Sequence, residues 1–312
     1  MSVPGRAFHL VAAGYEAHVM SVGATLRRLT SRGRDLVLPF EAAQVRPAMS
    51  GTLLAPWPNR VGDGRYVFGG ATHQLEVNEV DLRNASHGLV AWSDFDGHQD
   101  RPDHVRLTTT IEPRPGYPWC VDLSVDLTLG ESGLRQEVTA VNRSGSPAPF
   151  GVGGHPYLLA GPPGERAVDA WFLEVPAERV LTTDERRLPV GEVAVAGALD
   201  FRARRPVGDV VLDRSFTGLR AGPDGFVRVR VTDAGGRGAE LVLDRRCPWV
   251  HVYSADLSTG AAHRAALAVE PLTCPPDAFR SGRDLIGLAP GASTTAGWTI
   301  RAVGGGGDAV SD

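Results

Sequence analysis

Residues 121–129 read VDLSVDLTL, with an apolar side chain at every second position. A period of two is typical of a β-strand, because successive side chains point to opposite faces of a sheet. The same alternation recurs in residues 135–142 (RQEVTAVN) and 226–232 (FVRVRVT). Apolar residues then cover one face and polar residues the other, as in antiparallel sheets with one solvated face. These stretches predict antiparallel strands of an all-β protein.

Further strands are expected along the rest of the chain, for example at residues 241–243 and 250–253 (VHVY). The 312 residues include 38 Gly and 23 Pro, a density that suits many short strands joined by turns. More than about a dozen strands are too many for one open sheet, so we expect a large antiparallel β-sandwich. No linker divides the chain. We therefore expect one domain over residues 1–303, followed by a flexible tail over residues 304–312.

The charge balance argues against a nucleic-acid partner. The chain has 32 basic and 36 acidic residues, a formal net charge of −4, and no basic run. Proteins that bind nucleic acids usually concentrate lysine and arginine in one patch or segment. We therefore expect a neutral small molecule as the partner, and no nucleic acid.

Cysteines and apolar runs indicate the compartment. Cys120, Cys247 and Cys274 stand far apart without CxxC spacing, which argues against a disulfide framework and a structural zinc site. Residues 1–14 lack the basic segment and apolar core of a signal peptide. No apolar run approaches the roughly 18 residues that a spanning helix needs. We expect a cytoplasmic protein that does not enter a membrane.

His155 is the first candidate for chemistry, in residues 151–157 (GVGGHPY). Gly153 and Gly154 can adopt backbone conformations closed to other residues and could admit a ligand closely. Pro156 fixes the direction in which the chain leaves. An imidazole held in this way can donate a proton near neutral pH. The alternative is a core histidine whose ring is hydrogen-bonded to a backbone carbonyl.

Glu270 is the second candidate. It follows the apolar residues 265–269 and precedes Pro271. A carboxylate at the end of a buried strand is costly unless it is paired or used, which indicates a general base. The alternative is an exposed glutamate at a strand end.

Three further residues are weaker candidates when taken alone. Arg60 follows Asn59 and could be a surface arginine, and His87 in residues 84–88 (NASHG) could be part of a turn. Asp213 resembles an aspartate that caps a turn. No HExxH spacing suggests a metal, and the chain has neither a P-loop nor a dinucleotide fingerprint. We therefore expect no metal and no cofactor.

Taken in order, these elements resemble the aldose 1-epimerase (galactose mutarotase) family, and the resemblance runs from about residue 8 to about residue 302. The family fold is a galactose mutarotase-like supersandwich, a single large antiparallel β-sandwich with an open cleft. The matching elements are residues 23–26 (GATL), Asn59-Arg60 with the strand at residues 65–68, residues 84–88 around His87, His155-Pro156-Tyr157, Leu212-Asp213 with Phe216, and Val269-Glu270.

The resemblance implies a function and a role for each site residue. The reaction is the interconversion of the α and β anomers of a hexose such as glucose or galactose, without a cofactor. Glu270 would be the general base and His155 the general acid, on opposite sides of the hemiacetal. The residues that would bind the sugar are Asn59, Arg60, His87, Tyr157 and Asp213. Trp92 and Trp249, like Tyr157, could cover the apolar face of the sugar. The protein would be a monomer or a homodimer.

Three alternatives remain open, one of which, a polysaccharide-processing or purely structural β-sandwich, the composition allows but the motifs disfavour. A hexose-6-phosphate 1-epimerase would need further cations for the phosphate, for which Arg83, Arg214 or Arg245 could be recruited. A non-catalytic carbohydrate-binding β-sandwich would keep the cleft without turnover. The presence of both His155 and Glu270 counts against a pure binding protein, since binding alone needs no acid–base pair.

Overall fold

A computed structural model describes residues 5–304 of the chain, in which 27 β-strands are found. The first fourteen are β1 (Ala7–Ala12), β2 (Tyr15–Met20), β3 (Thr25–Ser31), β4 (Arg34–Asp35), β5 (Leu53–Leu54), β6 (Arg60–Gly62), β7 (Arg65–Phe68), β8 (Ala71–Gln74), β9 (Asn84–Ser86), β10 (Asp96–Arg101), β11 (His104–Ile111), β12 (Val121–Gly130), β13 (Gly133–Asn142) and β14 (Ala148–Phe150). The others are β15 (Gly153–Gly154), β16 (Tyr157–Leu158), β17 (Phe172–Glu174), β18 (Ala177–Thr183), β19 (Pro189–Ala194), β20 (Arg205–Pro206), β21 (Asp213–Leu219), β22 (Val227–Thr232), β23 (Gly238–Leu243), β24 (Trp249–Tyr253), β25 (Leu267–Leu272), β26 (Ile286–Leu288) and β27 (Ser293–Val303).

The helices of residues 5–304 are all short, and none of them has the length and apolar character needed to cross a membrane. They are the α-helix α1 (Ala278–Ser281) and the 3₁₀-helices Pro47–Met49, Val80–Leu82, Ala167–Ala170, Gly197–Leu199 and Gly260–Ala262. The predicted tail lies outside the described residues apart from Gly304. The single domain over residues 1–303 stays a prediction.

Two large sheets form the body of the fold. One has nine strands in the order β10-β11-β12-β13-β27-β23-β22-β17-β20. The other has eight, in the order β19-β18-β21-β24-β25-β15-β5 with β16 also paired to β25. The strands β1 to β4 make a third sheet, and three ladders of two strands each join β14 to β26, β6 to β9 and β7 to β8. Within residues 5–304, every ladder between two of these strands is antiparallel.

The predicted all-β antiparallel sandwich is confirmed, and so are the strands read from alternation. The stretches at residues 121–129 and 135–142 become β12 and β13, which pair with Val121 opposite Asn142. The other predicted stretches fall in β22, β23 and β24. In β12 the apolar residues are buried and the residues between them are more exposed, because the period of two matches the pleat.

The two large sheets share one hydrophobic core. Val269 of the eight-stranded sheet and Trp298 of the nine-stranded sheet belong to the same buried cluster. Trp298 lies so close to Gly154 that a Cβ atom there would come within 2.7 Å of the indole. Burial of these apolar side chains, at about 25 cal/mol per Å² removed from water, is the main favourable contribution to folding.

The strand β25 is buried along its whole length, which is unusual for a strand with alternating faces. Val250 and Val269 point into the core between the sheets. Glu270, one residue further along, therefore points to the opposite face of the eight-stranded sheet. This opposite face carries the candidate site.

Candidate active site

Strand register brings several polar side chains to one face of the eight-stranded sheet. Glu270 of β25 is opposite His251 of β24, and His251 is opposite Ser215 of β21. Residues that face each other in a ladder project to the same side, and Asp213 lies two residues before Ser215 on that side. Four polar side chains from three adjacent strands therefore meet on this face.

His155 reaches the same place from the link between β15 and β16, which both pair with β25. Its backbone N–H donates to the carbonyl of Thr52 at 3.1 Å, and its carbonyl accepts from the N–H of Gly51 at 2.8 Å. These two bonds hold the backbone in position. The imidazole Nε2 lies 3.4 Å from Oε1 of Glu270, and both side chains are buried.

The glycines before His155 serve a different purpose from the predicted one. Neither Gly153 nor Gly154 has a positive φ. A Cβ atom on Gly153 would lie 2.6 Å from the carbonyl of Pro271, and one on Gly154 would collide with Trp298. The expectation that they admit a ligand is wrong, since they let the chain pass between the next strand and the core tryptophan.

Arg60 belongs to a separate ladder, in which it pairs from β6 with Ser86 of β9, and His87 directly follows β9. The His87 N–H donates to the carbonyl of Asn59 at 2.8 Å. Asn59 and His87 both have positive φ, 55° and 65°. Such conformations are uncommon for residues other than glycine and concentrate at functional sites. They bring the His87 ring edge-on to that of His155, with 5.4 Å between centroids.

The Arg60 guanidinium is held by two neighbours. Its Nε and Nη2 donate to the two carboxylate oxygens of Glu79 at 2.8 and 3.0 Å, and its Nη1 donates to Oδ1 of Asn59 at 3.1 Å. Burial acts to lower the pKa of Arg60, but the Glu79 hydrogen bonds and the charges of Asp213, Glu79 and Glu270 outweigh it and raise the pKa. Arg60 is therefore a fixed cation at the edge of the site.

All seven site residues predicted from the sequence line one cavity of about 200 Å³. These residues are Asn59, Arg60, His87, His155, Tyr157, Asp213 and Glu270. Tyr157 stacks on the His155 ring with 5.2 Å between centroids, and its hydroxyl donates to the carbonyl of Ala48 at 3.4 Å. The cavity is thus lined mainly by side chains that can form hydrogen bonds.

Three buried polar atoms of this cavity have no hydrogen-bond partner among the described residues. They are Oε2 of Glu270, Nδ1 of His155 and Nδ1 of His87. Buried polar groups are almost always paired in folded proteins, because an unpaired group costs free energy. These atoms can therefore exchange hydrogen bonds with a small polar ligand or with water.

The charges of the cavity are set by burial and by ion pairs. Burial lowers the pKa of His155, while the nearby Glu270 charge opposes that shift. For Asp213, burial would raise the pKa, but the hydrogen bond from His251 and the charges of His251, Arg60 and Arg187 hold it well below its usual value. Asp213 is therefore ionised at neutral pH.

Sequence reasoning missed four residues that build this site. The His251 ring is hydrogen-bonded through Nε2 to Oδ1 of Asp213 at 3.0 Å and through Nδ1 to the hydroxyl of Ser215 at 2.8 Å. Arg187 forms an ion pair with the other carboxylate oxygen of Asp213 at 3.1 Å. Tyr253 also lines the cavity, and Glu79 anchors Arg60. His251 and Tyr253 are two residues apart in a predicted strand, so the sequence predicts that they share a face. It does not predict which strands lie on either side of that strand.

Other residues considered from the sequence lie outside the cavity. Trp92 is exposed beside Arg46, and Trp249 is fully buried with its indole N–H bound to Asp284. The suggestion that these two tryptophans cover a sugar is wrong for this cavity, because neither lines it. Of the cations proposed for a phosphate, Arg83, Arg214 and Arg245, none is among the lining residues either.

A metal would need three or more ligands that converge on one point. Within residues 5–304, convergent sets of three His, Cys, Asp or Glu side chains occur at one place, on the β1–β2 hairpin, and not in this cavity. The donors and acceptors of the cavity instead suit hydroxyl groups, which both donate and accept.

Burial of His87 has a consequence for stability. Burial, together with the charges of His155 and Arg60, lowers its pKa well below 6.5. Below pH 6.5 the unfolded chain protonates this imidazole and the folded protein does not, so stability falls as the pH falls. We expect a contribution of up to about 2 kcal/mol between pH 7 and pH 5. Urea unfolding at pH 7 and at pH 5 measures this effect. The free energy of unfolding should fall less between the two pH values in His87→Gln than in the wild type. An equal fall in both proteins would contradict the lowered pKa of His87.

Comparison with known proteins agrees with this architecture. The family model described as aldose 1-epimerase matches residues 6–301. The uncharacterized protein YihR of Escherichia coli (strain K12) is 33% identical over 293 residues, 93% of this chain and 91% of YihR. Galactose mutarotase of Mus musculus is 24% identical over 202 residues, 61% of this chain and 57% of the mouse protein.

Solved structures show the same fold. A GalM/aldose epimerase homologue from C. elegans superposes with a TM-score of 0.82 at 20% identity, covering 96% of this chain and 99% of that one. Galactose 1-epimerase from Lactobacillus acidophilus NCFM gives 0.76 at 21% identity, covering 93% and 92%. With a family model that spans nearly its whole length, this chain belongs to the aldose 1-epimerase family.

Proposed function

We propose that this protein is a mutarotase that interconverts the α and β anomers of a free hexose. The observation that carries the proposal is the contact between His155 Nε2 and Glu270 Oε1 at 3.4 Å, in a cavity where Glu270 Oε2 has no partner among the described residues. An acid and a base in contact, beside an open polar cavity, are what ring opening of a hemiacetal needs.

The proposed reaction has two balanced halves. Glu270 takes the proton of the C1 hydroxyl while protonated His155 gives its proton to the ring oxygen, so that the bond between C1 and the ring oxygen breaks and C1 becomes a carbonyl. Rotation about the C1–C2 bond exposes the other face of that carbonyl. Return of the proton from the C5 hydroxyl to His155, and from Glu270 to the new C1 oxygen, closes the ring as the other anomer.

The two groups lie side by side at the cavity wall, with 3.4 Å between His155 Nε2 and Glu270 Oε1. This arrangement supports the same chemistry, because the hydroxyl oxygen and the ring oxygen are bonded to the same carbon. Two neighbouring side chains can therefore each reach one of these oxygens. The short separation also lets the negative Glu270 favour the protonated form of His155, which limits the lowering of its pKa that burial causes.

The remaining lining residues suit the hydroxyls of a sugar. Asp213 is ionised and accepts hydrogen bonds, whereas Arg60 is a fixed cation that donates them. Both are held by other residues, Asp213 by His251 and Arg187, and Arg60 by Glu79. Groups fixed before the ligand arrives lose little conformational freedom on binding.

The cavity charges favour a free sugar over a sugar phosphate. Its two arginines, Arg60 and Arg187, are each already paired with a carboxylate, and Asp213 and Glu270 add negative charge. A phosphate would need cations that are not already neutralised.

Polarimetry tests the proposal directly. Freshly dissolved α-D-glucose and α-D-galactose should approach their equilibrium rotation faster with the protein than without it. A panel of other free hexoses and of hexose 6-phosphates should show the preference for uncharged sugars. No acceleration for any of these sugars would refute the proposal, and acceleration for the phosphates alone would favour the phosphate-specific alternative.

A further inference from the structure

The hairpin of β1 and β2 carries three metal-ligating side chains on its solvent face. His9 of β1 is directly opposite His18 of β2, and Val11, two residues further along β1, is opposite Glu16. Because residues two apart share a face, His9, His18 and Glu16 project to the same side. The residues between them, such as Leu10 and Ala17, are fully buried, so this side faces the solvent.

The three side chains already lie close to one another. His9 Nε2 is 3.3 Å from Glu16 Oε2, and the rings of His9 and His18 stack with 4.5 Å between centroids at 14°. One ligand atom from each residue can be chosen so that all three lie within 4.8 Å of one another. Cross-strand pairing on a short hairpin keeps the three Cα positions fixed relative to one another.

This donor set matches a divalent transition metal. Imidazole nitrogen and carboxylate oxygen bind Zn²⁺ at about 2.0–2.2 Å, which places two ligands of a tetrahedral ion roughly 3.3 Å apart. The His9–Glu16 separation already has that value. His18 needs a small side-chain rotation, which the solvent-facing position permits.

The electrostatic surroundings are compatible with a cation. Two arginines of β3 lie near His18, and one of them, Arg27, donates from Nη1 to the carbonyl of Phe40 at 2.8 Å. Arg28 is opposite His18 in the ladder with β3, but its Nε donates to Asp35 at 2.7 Å, which neutralises that charge. Glu16 supplies the negative charge of the site.

We propose that His9, Glu16 and His18 form a surface binding site for one divalent transition metal ion such as Zn²⁺, with water in the fourth position. None of the three lines the catalytic cavity. The site would clamp the two strands of the hairpin, and metal would raise the thermal stability of the folded protein because the unfolded chain does not present the three ligands together.

Titration of the untagged protein with Zn²⁺ alone, in competition with a chromogenic chelator at pH 7.5, tests this site. The wild type should bind one ion per chain at the hairpin. His18→Ala and the double variant His9→Ala/Glu16→Ala should each weaken that binding by at least about tenfold, since each removes ligands from a three-ligand set. Added Co²⁺ should give the visible absorption of a tetrahedral ion in the wild type only.

The control is His98→Ala, which removes an exposed histidine outside the cluster and should bind Zn²⁺ as the wild type does. The hairpin variants should keep the wild-type rate of mutarotation and, without metal, the wild-type unfolding transition. Loss of Zn²⁺ binding is therefore measured separately from loss of the proposed activity. Equal Zn²⁺ affinity in the wild type and the hairpin variants, or no Zn²⁺-dependent rise in thermal stability of the wild type, would overturn the proposal.

Discussion

Glu270→Gln and His155→Asn should each slow mutarotation by a factor of about 10²–10⁴, the range for loss of one positioned acid or base. Glutamine keeps the shape and a hydrogen-bonding oxygen of Glu270 but cannot take a proton. Asparagine cannot donate a proton as an imidazolium does. Because the two groups are in contact at 3.4 Å and act in the same step on two oxygens bonded to C1, the double variant should be little slower than the slower single variant.

Polarimetry of the purified variants gives the rates, and near-ultraviolet circular dichroism shows that the core packing is kept. The matched controls are His263→Asn and Glu174→Gln, which change the same residue types outside the cavity and should retain the wild-type rate. Substantial activity in a folded Glu270→Gln variant would show that another group removes the proton.

The second large effect concerns stability. Arg264→Met should lower the free energy of unfolding by about 3–5 kcal/mol, the usual cost of breaking a buried ion pair by removing one partner. Arg264 is fully buried, donates from Nε to Asp169 at 2.6 Å and from Nη2 to the carbonyl of Gly208 at 2.7 Å, and also pairs with Asp256. Methionine of similar length leaves Asp256 without its cation, leaves Asp169 paired only with Arg166, and removes the hydrogen bond to the Gly208 carbonyl.

Urea denaturation measures this loss as a lower midpoint at an unchanged slope. The comparison variant is Arg220→Met, which removes a mostly exposed arginine paired with Glu178 and should change stability by only about 0–1 kcal/mol. Similar losses in the two variants would mean that burial does not determine the strength of the Arg264 interactions.

Much of the fold could be predicted from local sequence. The alternation in residues 121–129 and 135–142 predicts strands without any knowledge of their partners, because the period of two follows from the backbone pleat. The residues before His155 show the limit of local reasoning. The local sequence predicts room for a ligand at Gly153 and Gly154, whereas their small size accommodates Trp298 and Pro271, residues more than a hundred positions away in the chain.

The candidate site divides in the same way. Its seven predicted residues lie in short motifs whose order resembles that of the aldose 1-epimerase family, and all seven line one cavity. The sequence places His251 in a strand and says no more of it, because nothing near it in the chain shows that Asp213 and Glu270 are on the neighbouring strands. The same reason hid the cluster on the hairpin, where His9 and His18 meet only through the pairing of β1 with β2.

The sequence by itself determined the all-β class and the short strands, and its ordered short motifs included His155 and Glu270. Periodicity and motifs are local properties, so both can be recognised without the tertiary structure. Only the tertiary structure decided that these two groups stand side by side, that Glu79 holds Arg60 while His251 and Arg187 hold Asp213, and which side chains face the cavity. Those features depend on strand order and register, which long-range burial and hydrogen bonding select.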